Sequence, residues 1–125
     1  MMALCLSAGA LFVTLHTQSF TLGWMHSVEK IRWEEDWKIE NSTLLLTSAR
    51  IKGTGAGMEP PLGSFFHDGA WHYTPTIKPL KSLILTHSPY TKEYELCIDF
   101  TCKPISSYLP NLEESTTITL EACER

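Results

Sequence analysis

FTLGWMHSVEKIRWEEDWKI, residues Phe20 to Ile39, carries two strand-like alternations around a polar turn, and its reading decides the fold. Side chains alternate across a strand, so Phe20, Leu22, Trp24, His26 and Val28 share one face of the first arm. In the second arm Ile31, Trp33, Glu35, Trp37 and Ile39 share a face, and Arg32, Glu34, Asp36, Lys38 and Glu40 form a charged opposite face. Glu35 is the odd member of an apolar set. With Glu29 and Lys30 as turn residues, His26 lies opposite Trp33 and diagonal to Glu35, roughly 7 Å apart and within reach of long side chains. A buried carboxylate is costly unless paired, so the spacing predicts that Glu35 meets His26, with Glu29 able to join them.

Working outward, the run Ala3 to Leu15 has the apolar content of a leader but no positively charged segment before it and no convincing cleavage site. With period two, Leu4, Leu6 and Ala8 share a face with Leu11, Val13 and Leu15 of a second arm, which predicts a β-hairpin of the fold. The absent leader signal predicts a cytoplasmic location, with a periplasmic or membrane-associated one as the alternative. Thr43 to Ile51 reads as a strand with Leu45, Thr47, Ala49 and Ile51 on one face. Lys52 to Gly63, with Gly55, Gly57 and the Pro60-Pro61 pair, cannot be regular structure. It leads into prolines and not into a helix, which excludes a phosphate-binding loop. Loops on a rigid scaffold are where sites tend to sit, so Gly55, Gly57, Met58 and Glu59 are candidates for ligand binding.

Asp68-Gly69 marks a hairpin that turns Trp71 and Tyr73 inward and His72 outward. Pro75 and Pro79 bracket a connection. Strands follow at Leu80 to His87 and at Tyr94 to Ile98, with Thr101 to Ile105 as the return arm of the latter. The segment after about residue 106 ends in an alternating run, Thr116 to Cys123, expected at a sheet edge or poorly ordered. Short strands at intervals of about ten residues, with no three-turn amphipathic helix, predict a single all-β domain over residues 1–125. The expected architecture is an antiparallel β-barrel or sandwich of about 8 to 10 short strands.

The chain has 125 residues and a formal charge of −4. That balance argues against nucleic acid as a partner, and no stretch argues for membrane insertion. Cys5, Cys97, Cys102 and Cys123 are free thiols around a β core or disulfides in one of three pairings. The Cys97 to Cys102 spacing suits a bridge between two hairpin arms.

Three chemistries compete for the polar residues. His26 and Glu35, with Glu29 or with His72 from the neighbouring hairpin, offer nitrogen and oxygen ligands to zinc, as a metal-dependent hydrolase would use them. Yet no H-x-H or H-E-x-x-H spacing supports a metal. Alternatively His26, with Arg32 or Lys30, faces an anion in a ligand pocket, or His26 and Glu35 form a structural pair. Ser27 cannot be activated by His26, because strand neighbours point to opposite faces. Trp24, Trp33, Trp37, Trp71 and Tyr73 read as core lining more simply than as a sugar platform. No cofactor is called for.

HSVEK followed by WEEDW, then KGTGAGMEPP and DGAWHY, then the late cysteine pair, resembles the bacterial family DUF1850, a domain of unknown function. The likeness covers nearly the whole chain. It implies a small β domain encoded beside tripartite ATP-independent periplasmic (TRAP) transporters of the TAXI type, which import organic acids. A non-enzymatic accessory or binding role follows from it, with transporter subunits or a small organic acid as partner. The ligand-binding candidates are then His26, Glu29, Arg32, Glu35, Gly55, Gly57, Met58 and Glu59. A purely structural interaction module is the remaining alternative.

Overall fold

The computed structural model describes residues 2–25, 31–52 and 62–124. His26, Glu29, Gly55, Gly57, Met58 and Glu59, and with them the expected His26 to Glu35 contact, lie outside the described residues.

Strands β1 (Met2–Ala8), β2 (Leu11–Leu15), β8 (Ser82–His87) and β11 (Thr116–Glu124) form one sheet in the order β2-β1-β11-β8. Strands β3 (Ser19–Met25), β4 (Arg32–Glu40), β5 (Thr43–Lys52), β6 (Phe65–His67), β7 (Ala70–Tyr73), β9 (Glu95–Ile98) and β10 (Thr101–Pro104) form a second, in the order β10-β9-β3-β4-β5-β7-β6. All the pairings are antiparallel. The all-β expectation is met as a sandwich of two sheets and not as a closed barrel. Eleven strands stand among the described residues, against the 8 to 10 expected.

Tight turns set the registers. Gly9 at φ 58° turns β1 into β2, and Asn41-Ser42, Asp68-Gly69 and Asp99-Phe100 each place two residues in the left-handed region. Two such residues match the right-handed twist of the flanking strands, which is why these turns close hairpins. Leu4 pairs with Leu15 and Leu6 with Val13, so the apolar N-terminal run is the expected hairpin.

The core joins Leu4, Leu6 and Ala8 of β1 to Ile118 and Leu120 of β11 and Leu85 of β8. Phe20, Leu22, Trp37, Leu44, Leu46 and Leu96 face them from the second sheet. Ile105 and Leu109, in and just after a single 3₁₀ turn at Ile105–Tyr108, close one flank. The last strand is not at an edge, as its position in the chain suggested: β11 lies between β1 and β8. Its alternation, with Ile118 and Leu120 fully buried, suits an inner strand covered on one side.

All four cysteines are oxidised. Cys97 and Cys102 are directly paired across β9 and β10, and Cys5 is joined to Cys123 diagonally across β1 and β11. The second bridge spans 118 residues and the first only 5. In the chain-entropy account they contribute about 5 and about 2 kcal/mol respectively.

Two registers differ from expectation. Trp24, and not His26, stands opposite Trp33, and Leu22 stands opposite Glu35. The β3–β4 pairing is therefore shifted by two residues from the expected register, and the Trp24 and Trp33 rings stack across the strands at 6.1 Å. In β5 the pairing slips between Asp36 and Trp37, so Thr47 is an extra residue. That bulge puts Leu44 and Leu46 in the core in place of the expected Leu45 and Thr47, while Ala49 and Ile51 stay inward.

Candidate functional site

Strand β4 presents acids to both faces of the seven-stranded sheet. Pairing aligns Glu95, Gly23, Glu34, Arg50 and His72 in one row across β9, β3, β4, β5 and β7. The next row runs Cys102, Cys97, Thr21, Asp36 and Ser48. Same-face neighbours in a sheet interact, and here they form a closed ionic lattice. Arg50 Nε donates to Glu34 at 2.6 Å, and its terminal nitrogens donate to both oxygens of Asp36 at 2.7 and 3.2 Å. Arg32 Nε donates to Glu34 at 2.7 Å while its Nη1 reaches Glu95 at 2.5 Å. Thr21 and Ser48 hydroxyls complete Asp36, each at 2.7 Å.

Gly23 makes that reach possible. A Cβ there would stand 2.3 Å from Arg32 Nη2, so only a bare Cα lets the guanidinium cross β3. Burial works against the charged forms of Glu34 and Asp36. Hydrogen bonds from Arg32 and Arg50 to Glu34, and from Arg50, Thr21 and Ser48 to Asp36, outweigh it and hold both carboxyls below their ordinary values.

Beside this lattice lies an open groove of about 660 Å³, bordered by Thr21, Asp36, Lys38, Arg50, Phe100 and the Cys97–Cys102 bridge. Phe100 is fully exposed at φ 65°, the turn position that glycine takes most easily. Of the charged groups that line the groove, Glu34, Asp36 and Arg50 already serve one another.

Glu35 sits on the opposite, inner face in the row Leu96, Leu22, Glu35, Ala49, Tyr73. The adjoining row is Trp24, Trp33, Ile51, Trp71 and Phe66. The sandwich core takes in Leu22 and Leu96 but neither Glu35 nor the tryptophans of the adjoining row. Trp24, Trp33, Trp71, Tyr73 and Tyr94 are all half-buried, and Tyr94 lies 5.9 Å from Trp24. They form an aromatic shelf at the margin of the core.

The Glu35 carboxylate accepts a hydrogen bond from Trp37 Nε1 at 3.3 Å. No cation pairs with it among the described residues. Burial pushes its carboxyl above the ordinary range, and the Trp37 bond offsets that only in part. Burial, with the field of Glu35 added, pushes the Tyr73 and Tyr94 hydroxyls upward as well.

Of the expected ligand residues that are described, Arg32 and Glu35 stand on opposite faces of β4 and do not converge. Arg32 is held by the Glu34 and Glu95 carboxylates. His72 shares the outer face with Arg50, stacks on Phe65 at 5.3 Å and bonds the His67 carbonyl oxygen at 3.0 Å. It therefore cannot join Glu35 around one metal ion. Among the described residues, no group of three or more His, Cys, Asp or Glu side chains could hold a metal ion. With Cys97 and Cys102 bridged, neither offers a free thiol as a nucleophile.

Sequence reasoning missed the outer lattice, although its signal was present: Arg32, Glu34 and Asp36 alternate on one strand and Ser48, Arg50 and Lys52 on the next. It also passed over Phe100, whose signal is a two-residue turn held between cysteines without glycine.

No curated protein and no solved structure matches the chain. Residues 20–105 match the family of the domain of unknown function DUF1850, a span that includes β3 to β10 with both faces of β4, and the chain belongs to that family.

Proposed function

We propose that this domain is a non-enzymatic accessory module of a TAXI-type TRAP transport system, and that it takes a small solute on the aromatic shelf around Glu35. The observation that carries the binding reading is Glu35 itself: a half-buried carboxylate with one neutral hydrogen-bond donor among the described residues, on the face opposite a buried acid that is fully ion-paired. A group kept in so unfavourable a setting without an ionic partner among the described residues suits a ligand contact. The transport association rests on the resemblance of the HSVEK, WEEDW and KGTGAGMEPP segments to transporter-linked members. Two disulfides support work in an oxidising compartment, which favours a periplasmic location over a cytoplasmic one.

The test is thermal unfolding of the purified, metal-stripped chain against divalent cations, organic acids and amines, since a ligand selective for the native state raises the midpoint. A saturable rise with a small solute, abolished in Glu35→Gln, is the expected result. A rise with zinc or manganese alone would transfer the site to metal chemistry. No rise with any class would remove the small-solute site and leave a protein partner.

A further inference from the structure

Glu35 is flanked by Trp33 and Trp37 along β4, and its field reaches the hydroxyls of Tyr73 and Tyr94. Trp24 lies nearly parallel to Trp33, at 19°, and tilts against Tyr94 at 49°. Such rings present electron-rich faces, which attract cations and repel anions. Among the described residues the carboxylate accepts one hydrogen bond, from the Trp37 indole, which leaves its charge uncompensated. On the outer face, one residue away, the Glu34 carboxylate is met by Arg32 and Arg50 directly and by Lys52 at 3.6 Å. Glu35 has rings where Glu34 has guanidinium groups. An anionic solute at this shelf would meet both a like charge and the negative faces of the rings. A cation would meet a counter-ion and a desolvated aromatic wall.

We infer that the aromatic shelf binds an organic cation, with the ammonium group of a small amine or quaternary amine against the Trp and Tyr faces and Glu35 as its counter-ion. This rests on the binding reading above and specifies its ligand class.

Isothermal titration of the whole chain with tetramethylammonium, and in parallel with succinate, tests it. Saturable tetramethylammonium binding is expected, weakened about tenfold or more in Glu35→Gln. Tyr73→Leu, which leaves the carboxylate in place but removes a ring, is expected to weaken it several-fold. Near-ultraviolet circular dichroism of each variant checks that the sheets are intact. Succinate binding that depends on Glu35, without tetramethylammonium binding, would overturn the cation assignment and keep the shelf as a solute site. Tetramethylammonium binding indifferent to both substitutions would also overturn it. If neither probe binds, the cation assignment fails together with the small-solute site.

Discussion

Glu34 and Glu35 are consecutive residues of one strand, yet the sheet treats them in opposite ways. Glu34, with its side chain only 11% exposed, is surrounded by Arg32, Arg50 and Lys52 and is held ionised. Glu35, half-buried beside aromatic rings, has among the described residues only an indole N–H as partner and is pushed toward its protonated form. Burial alone therefore does not decide what an acid does in a sheet. The partners set by pairing register decide it. The outer face spends its charges on the fold, and the inner face leaves one unspent.

The largest test of this contrast removes Glu34. In Glu34→Ala two arginine side chains lose a shared acceptor while remaining three-quarters covered, which is expected to lower stability by about 2 to 3 kcal/mol. Urea unfolding at neutral pH measures it, and a loss below about 0.5 kcal/mol would mean that the lattice is a surface feature worth little. Asp36→Ala should follow at about 2 kcal/mol, because Thr21, Ser48 and the fork of Arg50 all donate to that one group. A double variant with Arg50→Ala should lose less than the sum of the singles, since the residues share one network.

The pH dependence separates the two faces further. The folded-state values of Glu34 and Asp36 are lowered, so their stabilisation is complete above the unfolded values of 4.5 and 3.8. It is lost as pH falls through those values toward the folded ones. Glu35 is raised, so its ionisation costs stability above its folded value, and that cost is relieved as pH falls toward 4.5. Acid unfolding should therefore be driven by the outer face, and Glu34→Gln should flatten the decline of the urea midpoint between pH 5 and 3. A decline unchanged in that variant would place the acid-sensitive group elsewhere.

Gly23→Ala probes the lattice more gently. Its methyl displaces the flexible end of the Arg32 guanidinium and no backbone, so the expected loss is about 1 kcal/mol. Combined with Glu95→Gln, the further loss should be small, because the Arg32 to Glu95 contact is already broken. Full additivity would mean that Arg32 reaches Glu95 by another path.

Most of the fold was legible because alternation is a local property. Leu4, Leu6, Leu22, Trp37, Ile118 and Leu120 are inward as their phase requires, and the turns at Gly9 and Asp68-Gly69 carry their own backbone signal. What alternation could not supply was register. A bulge at Thr47 reversed the first half of β5, and a two-residue shift of the β3–β4 pairing put Trp24 where His26 was expected. Those shifts of one and two residues change which side chains meet without changing the hydrophobic pattern much, and so nothing in the composition announces them. The place of β11 beside β1 was equally hidden, because a pairing between the two ends of a chain leaves no local trace. At the site, the sequence singled out Glu35 as an acid on an apolar face, and phase alone sufficed for that. Phase also put Trp33 and Trp37 beside it, but that both arginines are committed to acids across the sheet followed only from the pairing.

The smallest expected effect is the most decisive for the contrast. Glu35→Gln keeps the shape of the side chain and its capacity to accept from Trp37 Nε1, and removes only the charge. Because folding desolvates that charge without giving it a cation, its removal should leave stability unchanged or raise it by roughly 0.5 kcal/mol at neutral pH, after allowance for solvent screening of a half-buried group. The gain should vanish in the wild-type comparison near pH 4, where Glu35 is protonated in the folded state and the two side chains become equivalent. A loss of about 1 kcal/mol or more at neutral pH would give Glu35 an ionic partner in the folded chain. In that case the inner face would resemble the outer one, and a ligand counter-ion would no longer be needed to account for Glu35.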